Sequence, residues 1–269
     1  MTEPSTHVVI PDTQVKPGVP IDNLFWIGQY IADHFAGKDR VRLIHLGDHA
    51  DMPSLSSYDK GTRAMEGKRY VDDIAAANYG FDMLCGPFEE TGWEPLSRDF
   101  LLGNHEDRIT RATNADAQLE GALSLNDLNY SSHGWKVHPF LKPVTIDGIV
   151  YAHYFCAPLT GRPYSGAALG RLKTLGHSFT MGHQQTLDVA VRFVNGKQQR
   201  ALVCGAAYLH DEDYMGPQGN AAHWRGILVC HQVRDGSYDL MEVSLNYLCQ
   251  RYEGMSLAKF MRKRQFTVA

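Results

Sequence analysis

Short apolar runs alternate with longer stretches of helical period over the first half of the chain. His7 to Ile10 is a β-rich run that stops at Pro11-Asp12. Residues 21 to 36 place Leu24, Ile27, Ile31 and Phe35 on one face at spacings of three and four, which predicts a helix with Asp22 as its N-cap. Val41 to Leu46 predicts a second strand ending at Gly47-Asp48, residues 65 to 84 a second helix, and Arg98 to Leu102 a third strand ending at Gly103-Asn104. The order is β-α-β-α-β, and in such sheets ligands collect outside the carboxyl ends of the strands.

The second half is strand-rich, with explicit hairpin turns. Leu187 to Val194 and Lys197 to Cys204 flank Asn195-Gly196, and Ile227 to Val233 and Ser237 to Val243 flank Asp235-Gly236. No low-complexity linker or internal repeat separates the halves. The expected fold is a single α/β domain over residues 1–245, a two-layered β-sandwich flanked by helices. A short helical tail over 246–269 would pack on it or extend from it.

Composition narrows the class. With 269 residues, 43% hydrophobic and 21% charged, the chain has the balance of a globular protein and length enough for a sizeable core. Cys85, Cys156, Cys204, Cys230 and Cys249 are odd in number and lack a C-x-x-C pair, so neither a disulfide framework nor a cysteine-zinc site is indicated. The N-terminus lacks the pattern of a signal peptide, and no apolar run approaches the roughly 18 residues of a membrane span. The expectation is a cytoplasmic protein with no membrane partner. Lys+Arg 26 against Asp+Glu 30 leaves a net charge of −4, so any site for a polyanion must be local or built by metal.

The ends of the apolar runs carry the chemistry. In order they are Asp12-Thr13-Gln14, Gly47-Asp48-His49-Ala50-Asp51, Gly103-Asn104-His105-Glu106, Ala152-His153 and Gly182-His183-Gln184-Gln185. Carboxylate and amide oxygens plus imidazole nitrogens on several strand ends are what a pair of divalent ions requires. Such a pair, about 3.5–4 Å apart, suits hydrolysis of phosphate esters.

This order resembles the calcineurin-like metallophosphoesterase family, whose pattern is D-x-H, GD-x-x-D, GNH-[DE], a lone His, and GH-x-H. The resemblance covers roughly residues 7 to 185. It implies that Asp48 bridges two metals, that Asp12, Gln14 and Gln185 complete the first site, and that Asn104, His153 and His183 complete the second. It further implies a hydroxide held between the ions as nucleophile, with His105 donating a proton to the departing oxygen and Asp51 hydrogen-bonding His105. A histidine suits proton donation because its ordinary pKa is about 6.5.

Two departures from the family pattern bear on mechanism. Gln14 and Gln185 stand where the family has histidines on one metal, so the first site is expected to be mostly oxygen and to favour manganese, with magnesium, iron or zinc as alternatives. Met52 stands where the phosphoprotein phosphatases carry a phosphate-gripping arginine. Arg108 and Arg162 are the candidates to replace that charge. Lys60, Arg63, Lys68 and Arg69 follow the second motif as a basic stretch that either guides a nucleic-acid backbone or pairs with Glu66 and Asp72 or Asp73. Tyr58 and Tyr70 either stack bases or pack. His45 is expected in the core or behind the ligands, while His49 has a place near the site that the pattern does not require to be histidine. The specificity loops are expected at 54–70, 155–170 and 208–225.

The expected activity is therefore two-metal hydrolysis of a phosphate ester, with a lean toward a phosphodiesterase acting on nucleic acid or nucleotides. Phosphomonoester hydrolysis is the alternative within that class. A metallophosphoesterase fold reused as a non-catalytic binding module is the alternative outside it. Oligomeric state is not legible.

Overall fold

Strand β1 (Ser5–Ile10) leads into helix α1 (Asp22–Phe35), strand β2 (Val41–His45), helix α2 (Tyr70–Glu89) and strand β3 (Ser97–Leu101). The structure, a computed structural model, describes residues 3–212 and 215–265. β1, β2 and β3 pair in parallel, and β4 (Lys136–His138) adds to β3 in the same sense. On the other side of β1, the hairpin β10 (Gly226–Arg234) and β11 (Ser237–Ser244) completes a six-stranded sheet in the order β11-β10-β1-β2-β3-β4.

A second sheet has the order β5-β6-β7-β9-β8, from β5 (Val144–Ile146), β6 (Ile149–Ala152), β7 (Phe179–Met181), β8 (Leu187–Val194) and β9 (Lys197–Cys204). β6, β7 and β9 are parallel, whereas β5 and β8 pair antiparallel at the two edges. Both sheets are mixed, and the chain is a single α/β domain.

Side-chain alternation builds the layers. Along β1, Val8 and Ile10 face a helical layer with Leu24, Ile27, Phe81 and Phe88, while Val9 faces the other sheet. Ile44, Leu101, Tyr151, Leu202 and Leu228 meet Val9 in the core between the sheets. On the far face of the second sheet, helix α4 (Ala168–Leu175) packs Ala168 and Leu172 on Phe179, Ala201 and Val203. Each large apolar side chain buried this way contributes about 1.5–3 kcal/mol.

Both hairpins form at the predicted residues. α2 instead starts and ends five residues later than its pattern predicted. Gly67 is left-handed at φ 75°, which breaks any helix entering from residue 65, and the buried face Ala77, Phe81, Leu84, Cys85 and Phe88 carries the helix onward. Asp22 lies inside α1 rather than capping it, and its carboxylate takes a hydrogen bond from Arg264 at 2.7 Å. That bond belongs to a tail of two helices, α6 (Leu245–Glu253) and α7 (Leu257–Gln265). The tail packs on α1, with Phe260 edge-on to Trp26 at 5.0 Å and Trp26 Nε1 bonded to Glu253. Residues 266–269 of the expected tail lie outside the described residues. The remaining helices are α3 (Asp107–Ala115) and α5 (Gly216–Ala221), and among the described residues no helix is long and apolar enough to cross a membrane. All five cysteines are free.

Candidate metal centre

Because β1, β2 and β3 run parallel, their carboxyl ends lie along one edge of the first sheet. Asp12 follows β1, Asp48 follows β2 and Asn104 follows β3. In the second sheet β6 and β7 are parallel, which sets His153 and His183 along the corresponding edge. The loops are then tied together. Thr13 and Gln14 N–H donate to the Asp48 carbonyl at 3.1 and 2.9 Å, Gly182 N–H donates to the His153 carbonyl, and Ala207 N–H to the Asp12 carbonyl.

Tight backbone approach explains two glycines. A Cβ on Gly103 would strike the Asp48 carboxylate, and one on Gly182 would strike that of Asp12. Five non-glycine residues around the site adopt positive φ: Gln14 (39°), Asp48 (50°), Met52 (52°), His183 (69°) and Gln185 (61°). Such conformations cost energy that the surrounding bonds must offset, and they concentrate at functional sites.

Asp48 is the hub. Its Oδ2 lies 3.1 Å from His153 Nε2 and 3.8 Å from His105 Nε2, and its Oδ1 accepts the His105 N–H at 2.9 Å. His153 Nε2 also lies 2.9 Å from Asn104 Oδ1, while its Nδ1 faces the Leu46 carbonyl at 2.8 Å. One ligating atom each from Asp48, His153 and His183 lies within 4.8 Å of the others. Asp12 is fully buried, and both of its carboxylate oxygens accept the His183 N–H.

Burial and charge compete throughout this cluster. Burial works against the Asp48 carboxylate, but His105 and His153 outweigh it and hold Asp48 well below the usual carboxylate range. Burial and the Asp48 charge push Asp12 up to about 7, against the pull of His153. His153 loses solvation too, yet the Asp48 and Asp12 carboxylates raise it to about 9. Acceptors therefore face both nitrogens of His153, which favours its protonated form in the metal-free chain. The Gln14 Oε1 is buried without a hydrogen-bond partner among the described residues. The excess of acceptors over donors fits divalent cations, which would displace the His153 proton on binding.

The expected His105–Asp51 bond is present. His105 Nδ1 lies 2.6 Å from Asp51 Oδ1, leaving Nε2 toward Asp48. Burial lowers His105, but Asp48 and Asp51 more than compensate and leave it raised. Asp51 is itself held low, against burial, by His105, Lys16 and Arg108.

The other residues singled out in the sequence have varied surroundings. Arg108 gives Nη1 to the Asp51 and Met52 carbonyls at 2.8 and 3.3 Å, so it braces the second motif as well as edging the site. Arg162 is exposed on the 157–163 turn, and its guanidinium touches no site residue among the described contacts. His49 turns away from the centre, with Nε2 on the Ala77 carbonyl of α2 and Nδ1 on Thr13 Oγ1. His45 is buried behind it, its Nδ1 taking the Gly47 N–H. Lys68 pairs with Asp59 rather than Glu66 or Asp72, and Asp73 takes the Ser54 N–H instead of a cation. Tyr70 gives its hydroxyl to Asp127 and is structural, while Tyr58 is 88% exposed.

Residues outside the expected site set also tie these loops together. Lys16 Nζ bridges Asp51 at 3.2 Å and the buried Glu212 at 2.9 Å. Tyr208 donates its hydroxyl to Gln185 Oε1 at 3.0 Å, fixing that carboxamide. The buried Arg171 ties Gln184 Oε1 to the Tyr164 carbonyl, bracing the last motif. Glu106, within the third motif, accepts the N–H groups of Asp48, His49, Ala50 and Gly103, and so joins two motif loops. No protein-family model and no curated protein matches this sequence.

Proposed function

We propose that the protein is a metal-dependent phosphoesterase with two divalent ions, of which manganese is the preferred one. The observation that carries this reading is Asp48 Oδ2, set between His153 Nε2 and His105 Nε2 beside Asn104 and His183. Asp48, Asn104, His153 and His183 would hold one ion, and Asp48, Asp12, Gln14 and Gln185 the other. When bound, such ions neutralise phosphoryl charge and make water a competent nucleophile at neutral pH.

The chain's own groups do the rest. His105, its Nδ1 held by Asp51, presents an Nε2 proton to the departing oxygen as the phosphorus–oxygen ester bond breaks and water adds to phosphorus. Asp51 keeps its charge through Lys16 and Arg108, which favours the protonated imidazole. Met52 is buried and offers no phosphate grip. The exposed Lys60 and Arg63 beside the second motif favour an extended diester such as a nucleic acid over a phosphoprotein.

The test is hydrolysis of bis-p-nitrophenyl phosphate, p-nitrophenyl phosphate, and single- and double-stranded DNA across a manganese titration. Manganese-dependent diester cleavage supports the reading. Rapid monoester turnover without diester cleavage reverses the substrate order. Inactivity with every divalent ion returns the fold to a binding role.

A further inference from the structure

Four large exposed apolar side chains lie on one strand, β8: Val189 (40% exposed), Val191 (43%), Phe193 (70%) and Val194 (36%). β8 is the edge of the second sheet and, among the described residues, pairs as a strand only with β9. Its pairing runs unbroken from Leu187↔Cys204 to Val194↔Lys197, without bulge, proline or lysine in the strand. Those are the devices that normally keep an edge from pairing with another chain. Ala190 packs toward α4, whereas Val189 lies on the face of its neighbour Leu202, which belongs to the core between the sheets. The odd positions of β8 thus carry the apolar face outward into solvent.

We propose that β8 is a homodimer interface, pairing antiparallel with β8 of a second copy about a two-fold axis at Ala190. Strand parity restricts the register. The two-residue turn Asn195-Gly196 makes Val194↔Lys197 a hydrogen-bonded pair, and the Gly205 N–H to Thr186 carbonyl bond at 3.1 Å has the same parity. Even residues therefore turn their N–H and C=O groups to β9, and odd residues turn theirs to the open edge. Across a two-fold axis, odd must then face odd.

Charge selects the axis. Centred on Ala190, Val189 faces Val191 of the second copy, Leu187 faces Phe193, and Asp188 faces Arg192, each twice by symmetry. Centred on Val191, Arg192 would face alanine and Asp188 would face valine, leaving both charges unmatched. Internally, Arg192 uses Nε on Gln199 and Asp188 uses Oδ2 on the Ala168 N–H, so Arg192 Nη and Asp188 Oδ1 remain for the crossing pair among the described contacts. The odd positions supply about eight backbone hydrogen bonds and join two five-stranded sheets into one.

Sedimentation of the full chain from about 1 to 100 µM tests this. The native protein should sediment as a dimer of the 30.1 kDa chain. Val191→Pro removes an outward N–H, which an edge strand tolerates, and should give a monomer with native circular dichroism. Arg192→Asp and Asp188→Arg should each weaken self-association at least tenfold by setting like charges opposite. Mixed in equal amounts they should associate again, because each then meets its opposite. A native monomer throughout, a dimer untouched by Val191→Pro, or folded charge variants that fail to associate on mixing would each overturn the proposal.

Discussion

Replacing Glu106 by glutamine changes one atom of a fully buried side chain, and the structure sets the cost. Glu106 Oε2 accepts from Asp48 N–H and Gly103 N–H, both at 2.9 Å. Oε1 accepts from His49 N–H at 2.7 Å, Ala50 N–H at 3.0 Å and the Tyr130 hydroxyl at 3.2 Å. Whichever way the new amide turns, its NH2 meets at least two backbone N–H donors. Two hydrogen bonds to a charged acceptor are then lost, at about 1.5 kcal/mol each or more, and the donors are left buried. The expected loss is about 3 kcal/mol, or roughly 6–12 °C in melting temperature. Burial and the Asp48 charge push the Glu106 carboxyl up, so the assay belongs at alkaline pH, which favours the ionised side chain. Thermal unfolding of the metal-free proteins gives the difference without any contribution from bound ions. A Glu106→Gln protein that melts within about 2 °C of the native one would refute the reasoning, because each lost bond alone is worth more than that.

Three further outcomes are expected. His105→Asn should lower diester turnover by about 10²–10⁴-fold while manganese affinity, measured by calorimetry, stays nearly unchanged; equal loss of both would make His105 a ligand instead. Gly103→Ala should weaken manganese binding by roughly 10–100-fold, since its Cβ displaces the Asp48 carboxylate, and unchanged affinity would contradict the packing. Burial lowers His49 to about 4, so it is neutral in the fold and protonates at about 6.5 when unfolded. Its contribution is complete above pH 6.5 and is lost as pH falls toward 4, by about 3 kcal/mol. Urea unfolding at pH 7 and 4.5 should therefore show a smaller acid penalty for His49→Gln than for the native protein, and equal penalties would contradict it.

Much of the fold and the candidate site could be read from local pattern because the proposed ligands follow strands whose period is clear. Asp12, Asp48, Asn104, His153 and His183 sit where parallel strands end, so order along the chain became proximity in space. The hairpins at Asn195-Gly196 and Asp235-Gly236 were legible for the same local reason, since both Asn195 and Asp235 take the positive φ their turns require. What escaped was set by tertiary contact. Lys16 and Glu212 meet across 196 residues, and Tyr208 reaches Gln185 through its hydroxyl, with no periodicity to announce either. Glu106 belonged to a recognisable motif, but its bonds run to backbone about 57 residues earlier. His49 looked like a site residue by position, yet the positive φ of Asp48 beside it accompanies a turn that sends the imidazole toward α2. The predicted start of α2 at residue 65 falls on a short 3-10 turn at Arg63–Met65, and the left-handed Gly67 separates that turn from the helix.

Anomalous diffraction from crystals soaked in manganese examines the metal centre most directly. Manganese should appear against Asp48, with Asn104, His153 and His183 on one ion and Asp12, Gln14 and Gln185 on another, and Gln14 should coordinate through its Oε1. Crystals that take up manganese elsewhere and show none against Asp48 would contradict the assignment.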